Sequence, residues 1–458
     1  MFKFSFTRGV VFCYFTPNKE DPIIMIEKTI SSLVEACDPK AAAILQNEDE
    51  RQAAVLRMIP SENYASPAVR AALASTLSNK YGEGYAGRRY YQGQKNTDAI
   101  ELLAIERATK LFGYPHANVQ ALSGAPANLG VYTAFLKPFE GRIMAMRLDH
   151  GGHLTHGSPV SVTGQWFEIK HYGCNESDRL DMDEIRRMAL EFRPNILVCG
   201  YTAYPRTIDF AAFGAIAREV GAISLADVSH IAGLIAGGAH PSPFPHIDIV
   251  SFTTHKTLRG PRGAIILSQK PEHAEAIDKA VFPGLQGGPH FATIAALAVA
   301  LHEAETEGFR SYSAQVVRNA QSLAGHLMEK GYHVSSGGTD NHLLLVDVRK
   351  SAGLPGKRVA ELLEDVGIVL NFNTVPNASD RQKPLFPDGI RMGTPCLTTR
   401  GMKENHMAAV ADFIHQAISN MKSGKIEKDE SPWKDPATTE KLAADIRAFA
   451  LSFPTFTW

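Results

Sequence analysis

Asp248-Ile249-Val250-Ser251-Phe252 runs directly into Thr253-Thr254-His255-Lys256 and then into Thr257-Leu258-Arg259-Gly260-Pro261-Arg262-Gly263. A short apolar run closed by a turn rich in Gly and Pro reads as a strand buried on both faces. The same texture recurs on either side, at Arg142–Leu148, Ile196–Cys199, Ala222–Ala226 and Gly263–Leu267. Helical spacing fills the intervals. Phe210–Val220 fits between two of the strands, and Thr97–Phe112 carries Ile100, Leu103, Ala104, Ala108 and Leu111 on one face. Strands alternating with helices predict an α/β fold built on a mainly parallel sheet. A long apolar helix, Phe291–Glu307, then precedes a change of texture. Helix Ser313–Lys330, strands His342–Val348 and Ile368–Leu370, and helix Gly356–Val366 between them read as a smaller α+β unit. Lys422–Asp435 reads as a linker or exposed turn, and a last helix spans Ala437–Leu451. The division this predicts is an N-terminal extension outside the fold at 1–25, an arm at 26–75, a large domain at 76–310 and a small C-terminal domain at 311–458.

The chain has 458 residues, 44% apolar and 21% charged, ordinary values for a globular protein with a substantial core. Lys plus Arg number 47 against 48 Asp plus Glu, a formal net charge of −1. That balance argues against nucleic acid or an anionic membrane as the main partner, and it leaves room for a local cationic pocket. Cys13, Cys37, Cys174, Cys199 and Cys396 are scattered without a CxxC pair. A disulfide framework or structural zinc site is therefore not expected, and a reducing, cytoplasmic setting is. The apolar run Gly9–Phe15 is far short of the ~20 residues a membrane span needs. It follows Lys3 and Arg8, as in a weak signal peptide, but no small-residue cleavage site follows before Pro17–Asp21. An extension is the simpler reading, with Met25 as a second candidate start.

In parallel α/β sheets, ligand groups collect at the carboxyl ends of strands. Two such ends here carry unusual chemistry. One strand runs into Asp227-Val228-Ser229-His230, and the opening strand runs into His255-Lys256. A lysine just past one buried strand, with an aspartate ending the preceding one, is what a pyridoxal phosphate enzyme requires. The amine forms a Schiff base, and the carboxylate keeps the pyridine nitrogen protonated so that the ring is an electron sink. Spacing alone fits equally well an Asp227 that caps a helix and a Lys256 in solvent. Ser123-Gly124-Ala125-Pro126-Ala127-Asn128 offers N–H donors at a helix start for a phosphate, with Pro126 suited to the first turn. Gly287-Gly288 is a second place of close approach, or simply a tight turn. His150, His153 and His156 invite a metal ion. Their glycine-rich surroundings and the lack of a nearby Glu favour a ring stacked on a cofactor or a structural histidine, so no metal is expected. Tyr81–Tyr91 places Glu83 among tyrosines, glycines and arginines. That suits acid/base work in a closed pocket better than stacked bases, with a solvated Gly-rich loop as the other reading.

Taken in order, Ser61-Glu62-Asn63-Tyr64, Tyr81–Tyr91, Gly151–Ser158, Thr254–Gly263, Val281–Pro289, Ser336–His342 and Gly389–Pro395 resemble serine hydroxymethyltransferase. The likeness runs from around Ile26 to the C-terminus. It implies a fold-type I pyridoxal phosphate transferase with a mainly parallel sheet of the seven-stranded type in the large domain. The implied reaction is reversible exchange of serine plus tetrahydrofolate for glycine plus methylenetetrahydrofolate. A folate-independent aldolase acting on threonine or another β-hydroxy amino acid is the alternative on the same fold. A binding protein without turnover is the alternative of another class.

Carried onto matching positions, the resemblance makes Lys256 the Schiff-base lysine, supported by Thr253, and Asp227 the partner of the pyridine nitrogen. His153 would stack on the ring and His230 would lie near its phenolic oxygen. Ser123, Gly124 and His255 would hold the phosphate, with Ala125 and Thr202 beside the cofactor. Tyr81 and Gly288 would reach the phosphate from the neighbouring subunit of a homodimer or tetramer. Arg391 would clamp the substrate carboxylate with Ser61 and Tyr91 assisting. Glu83 would be the acid/base group near the hydroxymethyl carbon. Leu148, Gly152, Leu154 and Asn341 would face the folate. Some positions depart from the family pattern: Ala125 and Thr202 stand where serine is usual, Phe372 where lysine is common, and Lys383-Pro384-Leu385-Phe386 where a Ser-Pro-Phe type stretch lines the folate site.

Overall fold

The computed structural model describes residues 3–7, 10–14, 32–378, 385–424, 426–427 and 430–454. The site is positioned by one sheet, whose strands are β1 (His116–Asn118), β2 (Arg142–Met146), β3 (Glu168–Tyr172), β4 (Ile196–Cys199), β5 (Ile223–Asp227), β6 (Ile249–Thr253) and β7 (Ala264–Ser268). They lie side by side in the order β1-β7-β6-β5-β4-β2-β3. The pairs β6·β5, β5·β4, β4·β2 and β2·β3 are parallel. Strand β7 runs antiparallel to both of its neighbours, β6 and β1.

The reversal of β7 follows from chain length. Only residues 254–263 separate β6 from β7, and a parallel crossover takes about a dozen residues or more. The strand expected at Gly263–Leu267 therefore forms one residue later and turns back against β6.

The strands read as apolar throughout because both faces are covered. Along β7, Ala264 and Ile266 pack into a cluster with Val131, Ile143, Val198 and Leu225. Ile265 and Leu267 pack on the other face with Met144, Leu197, Phe213 and Phe252. The two-residue alternation thus feeds two layers. Helix Gly124–Phe135 supplies the first layer, and helices Phe210–Val220 and Phe291–Ala304 supply the second. Each fully buried large side chain, such as Phe213 or Phe252, stabilises by roughly 1.5–3 kcal/mol.

A second, antiparallel sheet orders His333–Val334, Leu343–Asp347, Gly389–Gly393 and Asn371–Asn373 side by side. Leu344, Val346, Ile390 and Met392 pack there against Val359, Leu363, Val410 and Ile414 from helices Gly356–Asp365 and Glu404–Asn420. The helix expected from Ser313 begins at Glu307, because the Thr306 hydroxyl caps the Phe309 N–H. Leu56 and Met58 join this C-terminal cluster, and Leu56–Arg57 pairs with Ile368–Val369. The stretch expected as an arm thus contributes to packing at 56–58.

Among the described residues, those up to Ala53 cluster as one compact unit and those from Ala54 onward as another. In the first, Lys3–Thr7 pairs antiparallel with Val10–Tyr14. Met25 and the rest of the expected extension lie outside the described residues, as do Lys383 and Pro384. Among the described residues no helix is long and apolar enough to cross a membrane.

Candidate active site

The carboxyl ends of β2, β4, β5 and β6, with the start of helix Gly124–Phe135, enclose a cavity of about 340 Å³. Asp227 is the last residue of β5 and lies in register with Ser251 of β6. Lys256 follows the end of β6, and both residues line the cavity. The carboxylate is held from several sides. Asp227 Oδ2 accepts from the Asn128 amide at 2.8 Å and from His156 Nε2 at 3.1 Å. Asp227 Oδ1 accepts from the Ser229 N–H at 3.1 Å and hydroxyl at 2.5 Å. Burial alone would push this carboxyl up. The His156 hydrogen bond and charge, with His153 and Ser229 adding to them, outweigh burial and hold it well below the ordinary carboxylate value. Asp227 is an ionised acceptor under any physiological condition.

His153, His156 and Asp227 are also the one trio of potential metal ligands found together among the described residues. Both ring nitrogens of His156 are engaged, Nε2 with Asp227 and Nδ1 with the Tyr132 hydroxyl at 2.6 Å. His153 Nδ1 faces the Thr155 hydroxyl at 2.7 Å. Of the trio, His156 is hydrogen-bonded to the carboxylate, and His153 is turned to Thr155.

Burial lowers Lys256 to about 8, with Asp227 opposing that shift and Arg391 and Arg262 adding to it. An amine so tuned has a large neutral fraction near physiological pH and is a competent nucleophile. Burial also brings His153 down to about 4 and His255 to about 3, so both rings are neutral.

A polar, anionic cofactor fits this cavity on two observations. First, Thr253 Oγ1 and His255 Nδ1 are buried with no hydrogen-bond partner among the described residues, although both residues line the cavity. Second, Ser123 precedes helix Gly124–Phe135 without its side chain capping it, which leaves the hydroxyl and the first-turn N–H groups for an anion. Gly124 is required here, since a Cβ would lie 2.6 Å from Thr253 Cγ2. Ala125, Thr202 and His230 line the same space, as does Ser61. Thr202 donates its hydroxyl to Gly151 O at 3.1 Å, and its own carbonyl accepts from Arg391 Nη1 at 2.6 Å. Arg391, which is not among the residues lining the cavity, donates from Nε to Asn371 Oδ1 at 3.1 Å, and its remaining guanidinium N–H groups have no partner among the described residues. Burial draws Arg391 down to about 10, still cationic.

A second group of expected residues assembles elsewhere and does not line this cavity. Tyr81 donates to Glu83 Oε1 at 2.7 Å, and its ring meets Tyr91 edge-on at 5.3 Å. Gly288 lies against the Tyr81 ring so closely that a Cβ would come within 2.7 Å of it. Tyr81 and Tyr91 are 54% and 44% exposed, so this cluster forms a surface. Of the expected folate residues, Leu148 and Leu154 are exposed near His153 and Gly152 is buried. Asn341 is buried, with its amide donating to Tyr204 O at 3.0 Å and its Oδ1 accepting from the Leu343 N–H.

Asn128, Ser229 and Arg262 took no expected role, and His156 was weighed only as a metal ligand, a stacked ring or a structural histidine; Asn128, His156 and Ser229 hold Asp227, and Arg262 lines the cavity. A usable signal existed for two of them. Asn128 ends the Ser123–Asn128 stretch, one helical turn past Gly124, and Ser229 stands two residues beyond Asp227, where a side chain commonly bonds a nearby carboxylate.

A family model described as serine hydroxymethyltransferase matches residues 34–414. The chain belongs to the serine hydroxymethyltransferase family. It is 50% identical to a serine hydroxymethyltransferase of Desulfotalea psychrophila, over 91% of this chain and 94% of that relative. It is 52% identical to one of Acidothermus cellulolyticus, over 92% and 96% respectively. A relative of that name from Sorangium cellulosum is 51% identical over 91% of the chain. Members are fold-type I pyridoxal phosphate transferases, the class to which the mainly parallel sheet of seven strands belongs. The aldolase reading finds no support among these relatives.

Proposed function

We propose that the chain interconverts serine and glycine, passing the hydroxymethyl carbon to and from tetrahydrofolate, with pyridoxal phosphate held in the cavity behind β5 and β6. The observation that carries this reading is one cavity holding both a buried amine lowered to about 8 and a carboxylate fixed in its ionised form. When bound, pyridoxal phosphate supplies an electron sink in conjugation with the substrate's α-carbon. Lys256 would be the residue to hold the cofactor through its aldehyde, and Asp227 would favour a proton on the ring nitrogen. Ser123, His255 and the N–H groups from Gly124 onward hold the phosphate, while the neutral His153 offers a ring face. Thr253 steadies Lys256 and the phosphate side of the cavity. Arg391 and Ser61 orient the substrate carboxylate, and alignment of reacting groups supplies much of the rate.

Glu83, Tyr81, Tyr91 and Gly288 complete the site from a second copy of the chain in a homodimer or higher assembly. The exposure of Tyr81 and Tyr91, and the absence of all four residues from the lining of the cavity that holds Lys256, support this placement. Leu148, Gly152, Leu154 and Asn341 stand on the folate side. We divide the chain into the arm at 26–75, the large cofactor domain at 76–310 and the small domain at 311–458, and place it in the cytoplasm.

The test is spectroscopic and kinetic. Purified protein supplied with pyridoxal phosphate is expected to show a visible absorbance band and to convert serine to glycine at a rate that rises with tetrahydrofolate. Lys256→Ala is expected to lose the band and to reduce turnover by several orders of magnitude. A serine cleavage rate indifferent to tetrahydrofolate, or normal turnover in Lys256→Ala, would refute the reading.

A further inference from the structure

Two histidines meet at the back of the cavity. His230 follows β5 and lines the cavity, while His342 leads into the strand Leu343–Asp347 and is fully buried. His230 Nδ1 lies 3.2 Å from His342 Nε2, and the two rings stack at 26° with centroids 5.4 Å apart. His342 Nδ1, on the far side of its ring, is buried with no hydrogen-bond partner among the described residues. Burial brings His342 down to about 3 and His230 well below its ordinary value, so both rings are neutral. The charged and titratable groups that face them are Lys256, Arg391 and His153 around His230, and Arg391, Lys256 and His240 around His342. No carboxylate among these recruits a second proton to the pair.

Two neutral imidazoles sharing one hydrogen bond have two arrangements. If His230 donates from Nδ1, the His342 proton must sit on Nδ1 as a buried N–H with nothing to receive it. If His342 donates from Nε2, its Nδ1 is a bare lone pair and the His230 proton must sit on Nε2. A buried donor without an acceptor is the rarer and more costly defect. We infer that His342 is a positioning residue for the reaction, fixing His230 in the Nε2–H tautomer so that the cavity meets a hydrogen-bond donor there rather than a lone pair. The occupant facing His230 is then an oxygen acceptor, an anionic or carbonyl oxygen of cofactor or substrate. This inference rests on the functional reading above.

The test compares His342→Gln, His342→Asn and His342→Leu in the holoenzyme. A glutamine amide nitrogen reaches the place of Nε2 and can donate to His230, whereas an asparagine amide stops at the place of Nδ1 and leucine donates nothing. His342→Leu and His342→Asn are expected to keep the cofactor band and the serine KM while kcat falls about tenfold, the scale of one lost positioning hydrogen bond. His342→Gln is expected to recover most of that loss. Equal kcat in the Gln and Asn variants overturns the assignment, and that contrast stands even if the leucine variant does not fold. Loss of KM, cofactor and unfolding midpoint together in all three variants means packing alone and overturns it too. Wild-type protein that takes up no pyridoxal phosphate overturns the functional reading itself, and this inference with it.

Discussion

Lys256 and the cavity histidines each carry a pH signature that can be read without any substrate. Burial takes Lys256 from 10.5 to about 8, so between those values the unfolded chain binds a proton that the folded chain does not. Stability from this group rises with pH across that window. His153, lowered from 6.5 to about 4, acts in the same sense further down the scale: neutral when folded, it loses stability as pH falls from 6.5 toward 4. His342 extends that acid limb to about 3. In the cofactor-free protein, Lys256→Met is therefore expected to be more stable than the parent at neutral pH, with its advantage shrinking between pH 8 and 10. Both chains should weaken together below pH 6.5. Thermal unfolding followed across pH measures both limbs, and a stability gap that stays constant from pH 8 to 10 would show that Lys256 is not a buried, depressed amine. At this scale the sequence was partly readable. Asp227 and Lys256 stood out because one ends a strand and the other lies just past one, each with an unusual charge there. The bonds that Asn128 and His156 make to Asp227 were not readable, because they exist only once the fold brings distant segments together.

The short hairpin Gly84–Tyr85/Arg88–Arg89 carries Glu83 on its leading edge, and it is too small to hold a shape alone. It is clamped by a buried network instead. Arg89 donates to Glu101 at 2.7 Å and to Asp98 at 2.9 Å from helix Lys95–Phe112, with side-chain exposures of 3% for Arg89 and 1% for Glu101. Gln120 donates to both Glu101 and Gly84 O, and Glu101 also accepts the Ala86 N–H. Gly84 has φ +90 and no room for a side chain against Arg88. Removing one member of such a buried pair leaves a charge uncompensated and costs about 3–5 kcal/mol. Exposed pairs such as Arg187–Glu184 are screened by solvent and contribute far less. Glu101→Ala is thus expected to lower unfolding free energy by ~3 kcal/mol, to speed amide exchange through residues 83–91 and to depress turnover, although Glu101 does not line the cavity. Unchanged exchange at those amides would contradict the clamp. Elements differed in how readable they were. Ile196–Cys199 and Phe210–Val220 match their expected bounds because each is an unbroken apolar run or a clean helical period. Strand Glu168–Tyr172 was missed because it is an edge strand beside β2, and Lys170 and His171 inside it leave no apolar run.

For the molecule as a whole, the two groups of site residues bear on how many chains make one site. If Lys256 and Glu83 of one site come from different copies, two inactive variants can rescue each other. Co-expressed Lys256→Ala and Glu83→Gln chains are expected to give mixed dimers with one intact site each, about a quarter of parental activity at equal expression under random pairing. No recovery in verified mixed dimers would place both groups in one chain. Composition does not speak to such sharing, since a net charge of −1 describes a surface and not which residues face a neighbour. Nor did composition show that one of the seven strands runs backward. That strand has a consequence of its own. Because β6 and β7 are paired neighbours, the segment bearing His255, Lys256 and Arg262 is anchored at both ends to the same rigid sheet. Under the assignment proposed for Lys256, its amine would take hold and let go by rotation of the side chain, like a lever on a pivot, from a segment held at both ends by paired strands.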